Sequence, residues 1–314
     1  MMQTPGSSNP CTTPFTDRHI HGVAGVDFAT SNVSDIRAAL SLLVRRRTTT
    51  VIASLPALEI TALEETLDRL QGFHTAGLLA GVHLEGPFLA PDYAGAHPRS
   101  ALLTPATIPG RELLARVLNY QSRTSLVTMM TVAPELAGFT TLVEHLVDQG
   151  IEPALGHTGA TYEQMRDAIA HVTTLTGRPA VITHLYNAMR GFHHRDPGPL
   201  LAIAQAARTG DVIVELIADG VHVDLELVRW WFQHYPTAVR LVSDASAATN
   251  LPGQEPISTA PARLGHHVLG SSSSNSPSLD DGHTIASGSK DLLTIHDDLV
   301  GLGFTHDAVC AAMY

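Results

Sequence analysis

The chain has 314 residues, and 19 Lys plus Arg against 30 Asp plus Glu give a formal net charge of −11. That balance disfavours sequence-independent nucleic-acid binding, which needs a basic footprint, and an aromatic content of 5% offers no stacking platform for single strands. With 44% apolar and 16% charged residues the composition is that of an ordinary globular protein, not a disordered chain.

Residues 1–16 are polar and lack the charged start and apolar core of a signal peptide, so they are expected to form a disordered or residual N-terminal segment. From there, short apolar runs alternate with amphipathic stretches. The predicted strands are Arg18–His21, Thr49–Ser54, Leu78–Leu84, Ser125–Val132, Ile151–Leu155, Ala180–Thr183, Val212–Ile217 and Val239–Ser243. Between most of them lie predicted helices: Leu58–Gly72, Gly110–Tyr120, Gly138–Gly150, Thr161–Val172, Leu200–Thr209 and Leu225–His234. Thr161 followed by Gln164 reads as a capping box. Strands rich in Val, Ile and Leu that alternate with helices imply a parallel sheet covered on both faces. Eight of them predict an α/β fold, a (β/α)8 TIM-type barrel over residues 17–250, with an open doubly wound sheet as the runner-up. Residues 251–283, which include the Ser271–Ser274 run, read as an irregular or hairpin excursion, and residues 284–314 as the barrel's C-terminal helices.

The two cysteines, Cys11 and Cys310, cannot form a disulfide framework. No run reaches the ~18 apolar residues of a membrane span. A reducing, cytoplasmic setting with neither membrane nor nucleic acid as partner is therefore the expectation. There are 18 histidines but a single lysine, Lys290, so a Schiff-base or metal-bridging lysine in the front two-thirds of the chain is excluded.

The chemistry-bearing residues fall at strand ends. His19-Ile20-His21 puts two imidazoles on one face of an extended segment, where they can chelate a divalent metal. Glu85 ends an apolar run before Gly86-Pro87. His157, His184 and Asp244 each end another. Imidazole and carboxylate are the ligand set of Zn²⁺, and Fe²⁺ suits it as well. A metal with an open position activates water near neutral pH, and Asp244 on the last strand is the natural general base.

These segments resemble the N-acetylglucosamine-6-phosphate deacetylase family of the amidohydrolase superfamily. The matching residues are His19–Gly22, Gly81–Phe88, Gly95–Pro98, Gly156–Thr158, Thr183–Met189, Asp219–His222 and Ser243–Ala245, in the family's order over roughly residues 17–250. The resemblance implies metal-dependent hydrolysis of the acetamide of N-acetylglucosamine 6-phosphate. It implies Glu85, His157 and His184 as ligands of the principal metal, and His19 and His21 as a second site that only some members keep, hence one or two ions. Asp244 matches the catalytic base and later acid. His97, preceded by Ala96, matches the group that holds the sugar and polarises the acetyl carbonyl; Asn187 and Ala188 match further substrate contacts. Arg195 and His222 match a phosphate-binding pair that the family supplies across the interface of a homodimer. An Arg fork and a His donor suit a phosphate dianion.

The chain also departs from the family pattern. The family's small β-sandwich is expected to be largely absent, and Thr284–Ser289 resembles a substrate-contacting family segment with one residue inserted. Two alternatives stay open: another amidohydrolase acting on a different acylated amino sugar or a cyclic amide, and a truncated, non-catalytic sugar-phosphate-binding barrel.

Overall fold

The computed structural model describes residues 14–265, 267–271, 277–279 and 284–314. Eight strands form one sheet in chain order: β1 (Phe15–Ile20), β2 (Thr48–Leu55), β3 (Gly81–Glu85), β4 (Val127–Val132), β5 (Glu152–Leu155), β6 (Ala180–Ile182), β7 (Val212–Leu216) and β8 (Val239–Leu241). Every adjacent pair is parallel. All eight predicted strands are present, displaced by a few residues at their ends. β1 begins at Phe15, so the N-terminal segment set apart as 1–16 overlaps the first strand by two residues.

Helices fill the connections: α1 (Val33–Arg45), α2 (Ile60–Thr75), α3 (Ile108–Thr124), α4 (Phe139–Asp148), α5 (Tyr162–Thr176), α6 (Gly198–Thr209), α7 (Leu225–His234), α8 (Leu292–Gly301) and α9 (His306–Ala311). The capping box at Thr161 and Gln164 starts α5 as expected. α1 was not anticipated. Its Asn32 cap accepts from the Asp35 N–H, and Ile36, Ala39, Leu40 and Leu43 form the buried stripe. Val33 and Val44 stand exposed at 48% and 54%, and these apolar residues on the wet face blur the helical period in the sequence.

The strand ladder leaves a seam between β1 and β8, which single bonds close. The Asp244 N–H donates to the His19 carbonyl at 2.8 Å. The Ser243 N–H reaches the Asp17 carboxylate at 3.3 Å. Below them the carbonyls of Ala312 and Met313, just past α9, accept from Leu241 and Thr16 at 2.7 and 2.8 Å. The barrel interior beneath the strand ends is polar but satisfied. His83 bonds Ser54 Oγ at 2.9 Å through Nδ1 and Thr131 Oγ1 at 2.7 Å through Nε2, and Thr131 continues to Thr183. Burial holds the His83 imidazole neutral.

The excursion after β8 contains two short antiparallel ribbons, Arg263–Leu264 with His267–Val268 and Gly270–Ser271 with Pro277–Ser278. Much of its Ser-rich run, residues 272–276 and 280–283, lies outside the described residues. Where it is described, Leu264, Leu269 and Ala286 pack against Ala96 in a small apolar cluster apart from the main core. Among the described residues no second sheet of sandwich size occurs, and no helix is long and apolar enough to cross a membrane.

The C-terminal helices are fastened to the barrel by Asp291. This buried carboxylate caps α8 by accepting from the Thr294 N–H at 3.1 Å, and it takes a two-pronged bond from the Arg46 guanidinium. Replacing Asp291 by Ala removes the cap and strands a partly buried cation, which should cost about 3 kcal/mol of unfolding free energy in urea titration. Asp291→Asn keeps the cap acceptor and should lose less than half as much.

Candidate active site

Glu85 ends β3. His157 and His184 each stand two residues beyond an apolar strand, and Asp244 follows β8. The last three have left-handed backbones, with φ of 48°, 26° and 49° respectively. That conformation costs a non-glycine residue roughly 1–2 kcal/mol, and such strain concentrates where side-chain direction matters more than local comfort. Here it aims each side chain inward over the barrel mouth. His19 in β1 and His21 just after it arrive from the same face of an extended segment.

The five chains of atoms meet on Glu85. Its Oε1 lies 2.9 Å from His184 Nε2, 3.0 Å from His157 Nε2 and 3.5 Å from His19 Nε2. Its Oε2 lies 3.2 Å from His21 Nε2 and 3.3 Å from His97 Nε2. Asp244 Oδ1 faces His21 and His19 at 3.3 and 3.4 Å.

Whether these donors fit a metal is decided by where their protons sit. His157 Nδ1 points at the Tyr93 carbonyl at 2.8 Å. A carbonyl only accepts, so that nitrogen carries the hydrogen and the neutral ring offers a lone pair at Nε2. This lone pair faces His184 Nε2 at 3.1 Å and Glu85 Oε1 at 3.0 Å. Three atoms of metal-ligand type thus converge within hydrogen-bond distance of one another. Their separations approach the ~3.4 Å edge of a tetrahedron built on ~2.1 Å bonds. His184 Nδ1, His21 Nδ1 and both nitrogens of His19 are buried without hydrogen-bond partners. The donor set therefore fits a divalent ion. Glu85, His157 and His184 would form one ligand group, and His19, His21 and Glu85, like Glu85, His97 and His157, make further clusters of metal-ligand type.

The charges respond accordingly. Burial pushes the Glu85 carboxyl up, but the surrounding imidazoles, His19 foremost, outweigh it and hold the group well below the usual carboxylate range. Asp244 is likewise held down by His19 and His21 against its burial. Burial pushes His21 down, yet hydrogen bonds to Asp244 and Glu85 lift it to about 9.

His97 differs from its neighbours in the proton it carries. Its Nδ1 accepts from the Ala57 N–H at 3.1 Å, so the hydrogen of the neutral ring is on Nε2. Burial brings its pKa down to about 4. The result is a neutral N–H donor at the cavity wall. His222 is the converse. Burial pushes it down, but Asp219 at 3.0 Å raises it. Asp219 is itself held by the backbone N–H groups of Val221 and His222 and by Ser289.

A cavity of about 140 Å3 joins these groups. Of the residues singled out in the sequence, His21, Glu85, Ala96, His97, His157, His184, Asn187, Ala188, His222 and Asp244 line it. Asn187 also props His184, donating to its carbonyl at 3.1 Å. His19 lies against Glu85 but does not line the cavity. Arg195 is exposed and outside it. His222 is thus part of its own chain's cavity, whereas Arg195 is not. The Thr284–Ser289 segment supplies Ile285 and Ala286 to the wall. It lies close because residue 288 is glycine: a Cβ there would sit 1.9 Å from the Ser243 carbonyl oxygen. Sequence reasoning missed the Ala57 N–H, the Tyr93 carbonyl, and Asp219 as a site residue; only Asp219 carried a readable signal, in its Asp-Gly-Val-His motif.

No family model matches the chain. It is 32% identical to N-acetylglucosamine-6-phosphate deacetylase of Danio rerio over 76% of its own length, and spans 58% of that relative. A crystal structure of N-acetyl-D-glucosamine-6-phosphate deacetylase from Mycobacterium smegmatis superposes with a TM-score of 0.79 at 31% identity, covering 96% of this chain and 75% of that one. A mutant of that enzyme in complex with N-acetyl-D-glucosamine-6-phosphate gives 0.80 at 30% identity, covering 99% and 79%.

The proton on His21 would make uptake of a divalent ion depend on pH. A cation beside a metal ion is repelled, and a ligand must be deprotonated, so binding expels that proton. Its pKa lies near 9, so below that value affinity for Zn²⁺ or Co²⁺ should rise about tenfold per pH unit for each proton displaced. Calorimetric titration in buffers of different ionisation enthalpy measures both the slope and the protons released.

Proposed function

This chain belongs to the N-acetylglucosamine-6-phosphate deacetylase family, and from that premise we infer that it hydrolyses the acetamide of N-acetylglucosamine 6-phosphate to glucosamine 6-phosphate and acetate. The observation that carries the reading is one cavity that holds three converging metal-type donors, a carboxylate (Asp244) and a neutral N–H donor (His97). A non-catalytic barrel has no need of that division of labour.

Glu85, His157 and His184 would hold the principal ion, with His19 and His21 available for a second. Zn²⁺ suits the ligands, and Fe²⁺ suits them also. When bound, such an ion supplies Lewis-acid polarisation and lowers the pKa of water toward neutrality. Asp244 accepts the proton of the attacking water as its oxygen approaches the acetamide carbon. The Nε2–H of His97 donates to the carbonyl oxygen as that oxygen gains negative charge. The Asp244 carboxyl then returns the proton to the departing amine, so one group serves as base and acid in turn. Ala96, Asn187 and Ala188 form the wall against which the sugar is oriented.

His222, kept cationic-leaning by Asp219, would meet the phosphate from within the chain. Arg195 would come from a second copy, completing the site in a homodimer.

Asp244→Asn preserves shape and hydrogen bonding but removes the proton acceptor. Acetate release should fall by about 10²–10⁴-fold while substrate still binds; a loss under tenfold rules out the role. Arg195→Ala should raise KM for the 6-phosphate sugar, because the contact is charge-assisted and bidentate, and should leave any turnover of unphosphorylated N-acetylglucosamine unchanged. Equal losses on both sugars would remove Arg195 from the phosphate, and a fully active monomer would remove the second copy.

A further inference from the structure

A second set of metal-type donors lies on the two C-terminal helices and shares no residue with the cavity. His306 and Cys310 are four apart on α9, hence on one face. His296 projects from α8 toward them. Cys310 Sγ is 3.7 Å from His296 Nε2 and 3.8 Å from His306 Nε2, and one donor atom from each of the three falls within 4.8 Å of the others. We propose that His296, His306 and Cys310 bind a structural divalent ion of the zinc type, which fastens α9 to α8. The proposal does not depend on the function assigned to the cavity.

The separations that make an S–H···N contact also suit a shared ion. Bonds of ~2.3 Å to sulfur and ~2.0–2.1 Å to nitrogen at a tetrahedral angle place S and N about 3.6 Å apart. The His296 separation matches; His306, whose Nε2 and Nδ1 stand 3.8 and 3.9 Å from the sulfur, would turn its ring to aim one lone pair at the ion. His296 also has the outer partner that metal-binding imidazoles use: its Nδ1 lies 2.8 Å from Asp297 Oδ1. Donation to that carboxylate leaves Nε2 as a lone pair facing the sulfur. Cys310 and His296 are buried at 7% and 6% exposure, and His306 is half-buried. The ion would therefore sit in a largely dry pocket. Binding requires the Cys310 thiol to lose its proton to solvent, since the thiolate is the ligand. Two imidazoles with one thiolate suit Zn²⁺ and Co²⁺ and disfavour the hard ions Mg²⁺ and Ca²⁺.

The position explains what the ion would do. α9 runs straight into Ala312 and Met313, whose carbonyls bond β8 and β1 across the barrel seam. Fixing α9 fixes that closure.

Co²⁺ added to the full-length, metal-free protein is the test. A thiolate-to-cobalt charge-transfer band should appear, which the imidazole and carboxylate donors of the cavity cannot give. The band should vanish in Cys310→Ser, weaken at least tenfold in affinity in His306→Ala, and persist in Cys11→Ser. Zn²⁺ should slow alkylation of Cys310 at least tenfold, read by mass spectrometry on the wild-type chain. No band in the wild type, a band that survives Cys310→Ser, or alkylation indifferent to Zn²⁺ overturns the proposal.

Discussion

One buried carboxylate organises the molecule. Glu85 is 4% exposed, and five imidazole nitrogens lie between 2.9 and 3.5 Å from its oxygens. Taking an ionised carboxylate out of water costs several kcal/mol, which only well-placed partners can offset. Those partners come from β1, from the turn after β3, and from the ends of β5 and β6. The requirement that Glu85 stay compensated is therefore a requirement on the register of half the barrel. The same constraint reaches the seam, because Asp244 faces His19 and His21 through its side chain and binds the His19 carbonyl through its backbone.

Delivering side chains to one point from separate strands demands sharp departures from extended geometry. His157, His184 and Asp244 each make theirs in the left-handed region, without the licence a glycine would give. The turns are held by bonds to neighbouring segments: the His157 carbonyl accepts from Ala90 at 3.0 Å, and the Asp244 carbonyl from Gly288 at 2.7 Å. The segment after the Ser-rich excursion is thus more than a wall of the cavity. It pins the carboxylate on the last strand, and through Ser289 it also holds Asp219.

The sequence made the barrel legible because parallel strands buried on both faces are continuous apolar runs, and each run here stops at a chemically unusual residue. Glu85, His157, His184 and Asp244 could be found that way, and His19 with His21 by the period of two. α1 was harder to see because Val33 and Val44 contradict its apolar stripe. The partners that set protonation were illegible for another reason. The Ala57 N–H and the Tyr93 carbonyl are backbone groups, common to every residue, and only the folded chain brings them 40 and 64 positions away to His97 and His157. Arg195 is readable as a cation in a Gly- and His-rich loop, but one chain leaves it exposed and outside the cavity.

Those backbone partners resolve a problem that residue type leaves open. His97 and His222 line the same cavity and share the same unperturbed acidity, yet the chain drives them to opposite states. His97 accepts a backbone N–H and has no carboxylate of its own; Glu85 near it is already shared among four other imidazoles. Burial prevails, and its pKa falls to about 4. His222 is nearly as buried but has Asp219 to itself, and that carboxylate is fixed in its ionised form by two backbone N–H groups and Ser289. Burial loses, and the imidazole is raised. Under the function proposed above, a neutral donor can meet a developing oxyanion without placing a second cation beside the ion that Glu85 would hold. Under the same proposal, the positively biased donor His222 suits the phosphate. The sequence supplies two histidines; the count of partners around each carboxylate decides which chemistry each can serve.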